Sequence, residues 1–193
     1  MIPPAVTERE KAPFKMRFSS ERQVKSSVTT SLDQNSGLIH DSCTLVEEFL
    51  KSLPDGGIIS NNIKRMSQSN LQLMFRTVAI LGLEQWAPDI LSCDPDSMYN
   101  LLHEHIALIT FEQVSSAFGY SHMGLDLSLL HDFPLMRKLY WSFVFNYMYN
   151  IAKVEEKKPG SVAKGKLMTN VWKRRDEVSY DHLTFSFFVY TVQ

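Results

Sequence analysis

The chain has 193 residues and a mass of 22.2 kDa, with 20 basic and 21 acidic side chains giving a formal net charge of -1, and 44% of its residues are hydrophobic. This composition suits a soluble globular protein with one buried core. It excludes an apolar-poor disordered polymer, a uniformly basic nucleic-acid coat and a uniformly acidic tail protein. The even total hides blocks of opposite sign: residues 1–36 carry net +2, residues 37–132 net -8 and residues 133–177 net +6.

Residues 1–36 are rich in Ser, Thr, Lys, Arg and Pro and read as a flexible, mildly basic arm whose Phe14 and Phe18 are free to dock on a partner. From Leu38 the pattern becomes helical. Leu38, Ile39, Val46, Phe49, Leu50 and Leu53 recur at helix spacing until Pro54-Asp55-Gly56-Gly57 stops the run. A second helix is expected near Ser60, and a third near Ser69 with Leu71, Leu73, Met74, Val78, Ile80 and Leu81 as core candidates.

Asp94-Pro95-Asp96 places a cap and an early proline before Met98, Leu101, Leu102, Ile106 and Ile109. Thr110 to Gln113 has capping-box form and predicts a separate short helix ended by Gly119. That window, Thr110 to Ser121, resembles the first half of a helix-turn-helix motif. The following helix, His122 to Leu130, would be the DNA reader, yet it contains no Lys or Arg to attract phosphate, so a structural helix pair is expected instead.

Asp132 caps the longest expected helix, with Pro134 in its first turn. Leu135, Met136, Leu139, Tyr140, Phe143, Val144, Tyr147, Met148 and Ile151 give it a broad apolar face, the pattern of a central core helix. After Pro159-Gly160, Ser161 caps a basic helix running through Arg175. There Lys164, Lys166, Trp172, Lys173, Arg174 and Arg175 either contact nucleic acid or form a surface helix packed on the acidic body. At the end, Leu183, Phe185 and Phe187 alternate with polar residues and predict a β-strand that pairs within the fold or with another chain; Phe185 and Phe187 are candidate partner contacts.

The organisation expected is therefore mainly α: a flexible arm (1–36), a multi-helix domain (37–177, with an acidic body 37–132 and basic helices 133–177) and a C-terminal strand (178–193). Chemistry-bearing motifs are absent: there is no GxxxxGK[ST] loop, GxGxxG turn or GxSxG elbow. Cys43 and Cys93 are too far apart for a CxxC site and read as reduced thiols. His103-Glu104-His105 places two histidines on different helix faces, so solvated or core-edge histidines are expected rather than a metal site. No catalytic residue, metal or cofactor is called. With no apolar leader and no spanning stretch, the expectation is an intracellular, cytoplasmic or nuclear protein. Its expected role is a non-catalytic protein-interaction or assembly module, self-association included. The alternative is a nucleic-acid-binding factor using the basic arm and residues 164–175.

Overall fold

The computed structural model describes residues 6–33, 39–92, 94–124, 126–162 and 164–165. Among these residues the chain is mainly helical and no strand is present. The α-helices are α1 (Glu8–Arg17), α2 (Glu21–Asp33), α3 (Ile39–Ser52), α4 (Ile58–Lys64), α5 (Gln68–Ile80), α6 (Met98–Ser116), α7 (Phe133–Trp141) and α8 (Tyr149–Lys157). Two 3-10 turns, Ser121–Met123 and Leu127–His131, separate α6 from α7, and a π-helical stretch, Ser142–Met148, follows α7.

The described residues up to Tyr147 form one compact unit, and those from Met148 onward belong to a second. In the first unit α6 is the axis on which α1, α2, α5 and α7 pack, while α3 rests on α5. Tyr99, Leu101, Leu102, Ile106, Leu108 and Val114 are all buried on α6, so apolar contact surrounds the helix instead of lying along one stripe. In the second unit, Glu155 ties the turn after α8 by accepting hydrogen bonds from the backbone N–H of Gly160 and, at 3.1 Å, of Val162.

The N-terminal segment overturns the flexible-arm expectation. Thr7 and Glu10 form a capping box, with Glu10 Oε2 accepting from Thr7 N at 2.7 Å, and this starts α1. Phe14, Phe18, Val24 and Val28 then enter one core cluster with Leu81, Leu83, Tyr99, Leu102 and Ile106. Phe14 and Phe18 are thus internal anchors and present no free surface to a partner. Each of these two helices needs only a narrow pair of apolar residues, one turn apart, because each faces the already apolar α6.

Four further expectations change. Thr110 does not start a helix: its Oγ1 donates back to Ile106 O at 2.6 Å, and α6 runs through it to Ser116. The cap of α6 is Ser97, which accepts from Asn100 N, and not the Asp94-Pro95-Asp96 group. Among the described residues of 122–130 the helical elements are the two 3-10 turns, with no α-helix there to serve as the second half of a helix-turn-helix. The segment after Asp132 does start on that cap, yet it is peripheral, with Leu139, Phe143 and Tyr147 exposed; α6 is the central helix. The expected strand at 178–193, and the basic helix beyond Gly165, lie outside the described residues.

The end of α6 is a Schellman motif, in which Gly119 N donates to Val114 O at 2.8 Å and Phe118 N to Ser115 O at 2.9 Å. The left-handed position is held by Phe118, with φ 56°, whereas the neighbouring glycine serves a different need. A Cβ on Gly119 would collide with the side chains of Asn70 and Val114. The left-handed conformation costs a non-glycine residue about 1–2 kcal/mol, and Phe118 is mostly exposed, so it recovers little by packing. Phe118→Gly is therefore expected to stabilise the protein by about 0.5–1 kcal/mol, while Gly119→Ala destabilises it; urea midpoints of the two variants against the parent check both signs.

Candidate functional site

The middle of α6 carries His103, Glu104 and His105, all essentially inaccessible to water. A helix enclosed on all sides has no polar face, so these groups depend on partners within the protein, from α6 itself or from the helices around it. His103 Nδ1 lies 2.9 Å from Tyr99 O, and its own backbone carbonyl accepts from Trp86 Nε1 at 3.0 Å. Burial pushes the imidazole down to about 4, so it is neutral near pH 7.

Glu104 turns the other way. Its Oε1 is 2.7 Å from Arg137 Nε, and Oε2 accepts from Trp141 Nε1, so one carboxylate takes two partners from α7. Burial raises the Glu104 carboxyl; the Trp141 hydrogen bond and the Arg137 charge pull it back toward ionisation. Arg137 reaches outward as well, with Nη1 3.2 Å from Glu21 Oε1 on α2. Glu21 Oε1 also stands 3.5 Å from His105 Nε2, and His105, stacked on Phe133, is pushed down mainly by burial. This chain of groups joins α2, α6 and α7. Its chemistry is that of a structural clamp, since one carboxylate oxygen accepts from Trp141 and the other lies in an ion pair with Arg137.

The clamp fixes which side of α7 faces out. Arg137, Tyr140, Trp141 and Val144 line the inner side, with Tyr140 edge-on to Trp86 at 6.4 Å. On the outer side Leu139, Phe143 and Tyr147 follow one another at intervals of four residues, and each is 54% exposed. Phe143 and Tyr147 stack at 5.6 Å and 21° within the π-helical stretch. π-helical turns are rare and frequent at functional sites. An apolar stripe held outward by a buried ion pair is the candidate site.

Of the residues singled out in the sequence, Phe14 meets Tyr99 edge-on at 5.4 Å and Phe18 lies under the Arg17 guanidinium at 5.0 Å, both inside the core. Lys164 is exposed near the end of the described chain; Lys166, Trp172, Lys173, Arg174, Arg175, Phe185 and Phe187 lie outside the described residues, as does Cys93. Among the described residues no group of His, Cys, Asp or Glu converges in metal-binding fashion, and no helix is long and apolar enough to cross a membrane. The Leu139, Phe143 and Tyr147 stripe escaped sequence reading as a surface, although a signal existed. Residues 135–151 hold more apolar positions than one buried helix face accommodates, so some had to point outward. Comparison with protein-family models, with curated proteins and with solved structures finds no match to this chain.

Two expected outcomes test the clamp. Arg137→Ala leaves Glu104 buried without its counter-ion and should cost about 3 kcal/mol, whereas Glu104→Gln keeps an acceptor for Trp141, removes the buried charge and should cost about 1 kcal/mol; chemical denaturation compares the two. His103, with a folded value of about 4 against 6.5 ordinarily, takes up its proton more readily when unfolded. Its contribution is present above pH 6.5 and is lost as pH falls through about 4, up to about 3 kcal/mol. His105 acts in the same direction; Glu104, raised, acts oppositely and loses its contribution as pH climbs through its folded value. Urea midpoints measured from pH 7.5 to 4 should fall steeply in the parent and less steeply in His103→Gln.

Proposed function

We propose that the protein is a non-catalytic protein-interaction or assembly module that holds another protein chain through the Leu139, Phe143 and Tyr147 face. The observation that carries this reading is the exposure of three large apolar side chains along α7 and the π-helical stretch that follows it, with α7 held from inside by the Glu104 and Arg137 ion pair. Apolar surface kept rigid and in water is what an interface supplies before its partner arrives. Burying the exposed half of the three side chains contributes about 2–4 kcal/mol, less than the cost of association, so the stripe serves as the anchoring centre of a wider contact.

The nucleic-acid reading draws less support from the N-terminal helices than their charge suggested. Lys11 Nζ is buried against Asp89 at 2.7 Å, and Arg17 Nη1 donates to Leu81 O at 2.8 Å, so two of the segment's cations are committed inside the unit. Phosphate contact needs such groups in solvent.

The test places a photo-crosslinking amino acid at position 139 of the full chain and follows association by light scattering. The expected result is a crosslink to a second copy or to one partner protein present in stoichiometric amount. The double variant Phe143→Ser with Tyr147→Ser should lose that crosslink with its helical circular dichroism unchanged. Association and crosslinking that survive the double substitution would overturn the reading.

A further inference from the structure

The first compact unit has a cleft of about 260 Å³ between α1 and the loop that follows α5. It is smaller than the roughly 300–1,000 Å³ pockets that enclose drug-sized ligands and cofactors, so its natural scale is a single long side chain. Phe14, Tyr99 and Leu83 supply an apolar floor, each nearly buried, with Pro13 beside them. Glu10 and Glu84, both exposed, supply the charge, and none of the described residues lining the cleft is a Lys or Arg.

The carboxylate of Glu10 is held in place before any ligand arrives. Both of its capping-box bonds, from Thr7 N and from Thr7 Oγ1, fall on Oε2 at 2.7 Å, and they keep the group below the usual carboxylate range and therefore ionised. Two cations of α1 are engaged elsewhere: Lys11 Nζ with Asp89 and Glu8, and Arg17, at the Gly82 edge, with the Leu81 carbonyl. The Tyr99 hydroxyl on the floor is pushed up to about 12, by burial first and then by the negative charges of Glu10 and Asp89. The cleft is thus aromatic beneath and anionic at its rim.

We propose that this cleft binds the side chain of an arginine presented by a partner protein, its methylenes on Phe14 and Tyr99 and its guanidinium toward Glu10 and Glu84. Arginine fits better than lysine because its planar, weakly hydrated head both stacks on aromatic rings and bridges carboxylates. This pairing is independent of the Leu139, Phe143 and Tyr147 face and adds a second, charge-selective contact to the molecule.

The experiment titrates the isotope-labelled full chain, at low salt, with the blocked tripeptides Gly-Arg-Gly, Gly-Lys-Gly and Gly-citrulline-Gly, and reads backbone amide shifts. The arginine peptide should give saturable shifts centred on Glu10, Leu83, Glu84 and Tyr99, in the millimolar range. The neutral citrulline isostere should bind about tenfold more weakly or not at all. Glu10→Gln combined with Glu84→Gln should weaken the arginine peptide by about tenfold while leaving the melting temperature unchanged, because glutamine preserves the capping box. Shifts absent from the cleft, an equal response to citrulline, or binding that persists in the double variant would overturn the proposal. The citrulline comparison on the parent protein stands even if the double variant does not fold.

Discussion

A carboxylate deep in a protein must be paired, and Glu104 is 1% exposed on the most enclosed helix among the described residues. It accepts a hydrogen bond from Trp141 and is ion-paired with Arg137, and these two residues sit one turn apart on α7. That spacing leaves α7 a single rotational setting on α6. Rotating the helix by a third of a turn would separate both donors from the carboxylate and leave a charge alone in the interior, a loss of several kcal/mol that apolar packing alone does not impose. The outward placement of Leu139, Phe143 and Tyr147 follows from this one pairing.

The opposite flank of α6 is closed by different means. Asp89, itself buried, is met by Lys11 Nζ from α1, and its backbone N–H donates to Asn100 Oδ1 at 2.8 Å, so α1, the loop before α6 and α6 itself share one polar junction. Phe14 and Phe18 then cover Tyr99 and Leu102. Polar groups set the register on both sides of the bundle axis, and apolar contacts supply the burial between them. Lys11 and Arg17, committed inside the unit, are two of the cations that made the N-terminal segment read as a basic arm.

The two surfaces proposed as contacts differ in character for the same reason. On α7 and the π-helical stretch after it, Arg137 and Trp141 turn to Glu104 and leave apolar side chains in water; beside α1, Lys11 and Arg17 are committed inward and leave the carboxylates of Glu10 and Glu84 at the cleft. Each surface is the complement of an internal pairing. A partner that reads both would carry an apolar ridge and a separate arginine.

By itself the sequence determined that the chain is mainly helical, and it located several boundaries: the stop at Pro54-Asp55-Gly56-Gly57, a helix start near Ser69, within two residues of the cap at Ser67, and the cap at Asp132. These are local matters of periodicity, capping oxygens and backbone conformations open to glycine or proline, and they are written within a few neighbouring residues. Which helix lies at the centre was decided only by the tertiary structure. Residues 135–151 carry as broad an apolar pattern as 98–116, and the polar His103-Glu104-His105 run within the latter argues locally for an exposed helix. Their burial depends on Arg137, Trp141 and Tyr99 arriving from positions far along the chain or a full turn away, and the burial of Phe14 and Phe18 depends on α6 offering an apolar wall. Local spacing records what a residue is able to do; whether Phe14 meets water or Tyr99, and whether Phe143 meets a core or a solvent, is fixed by partners whose sequence separation leaves no periodic trace.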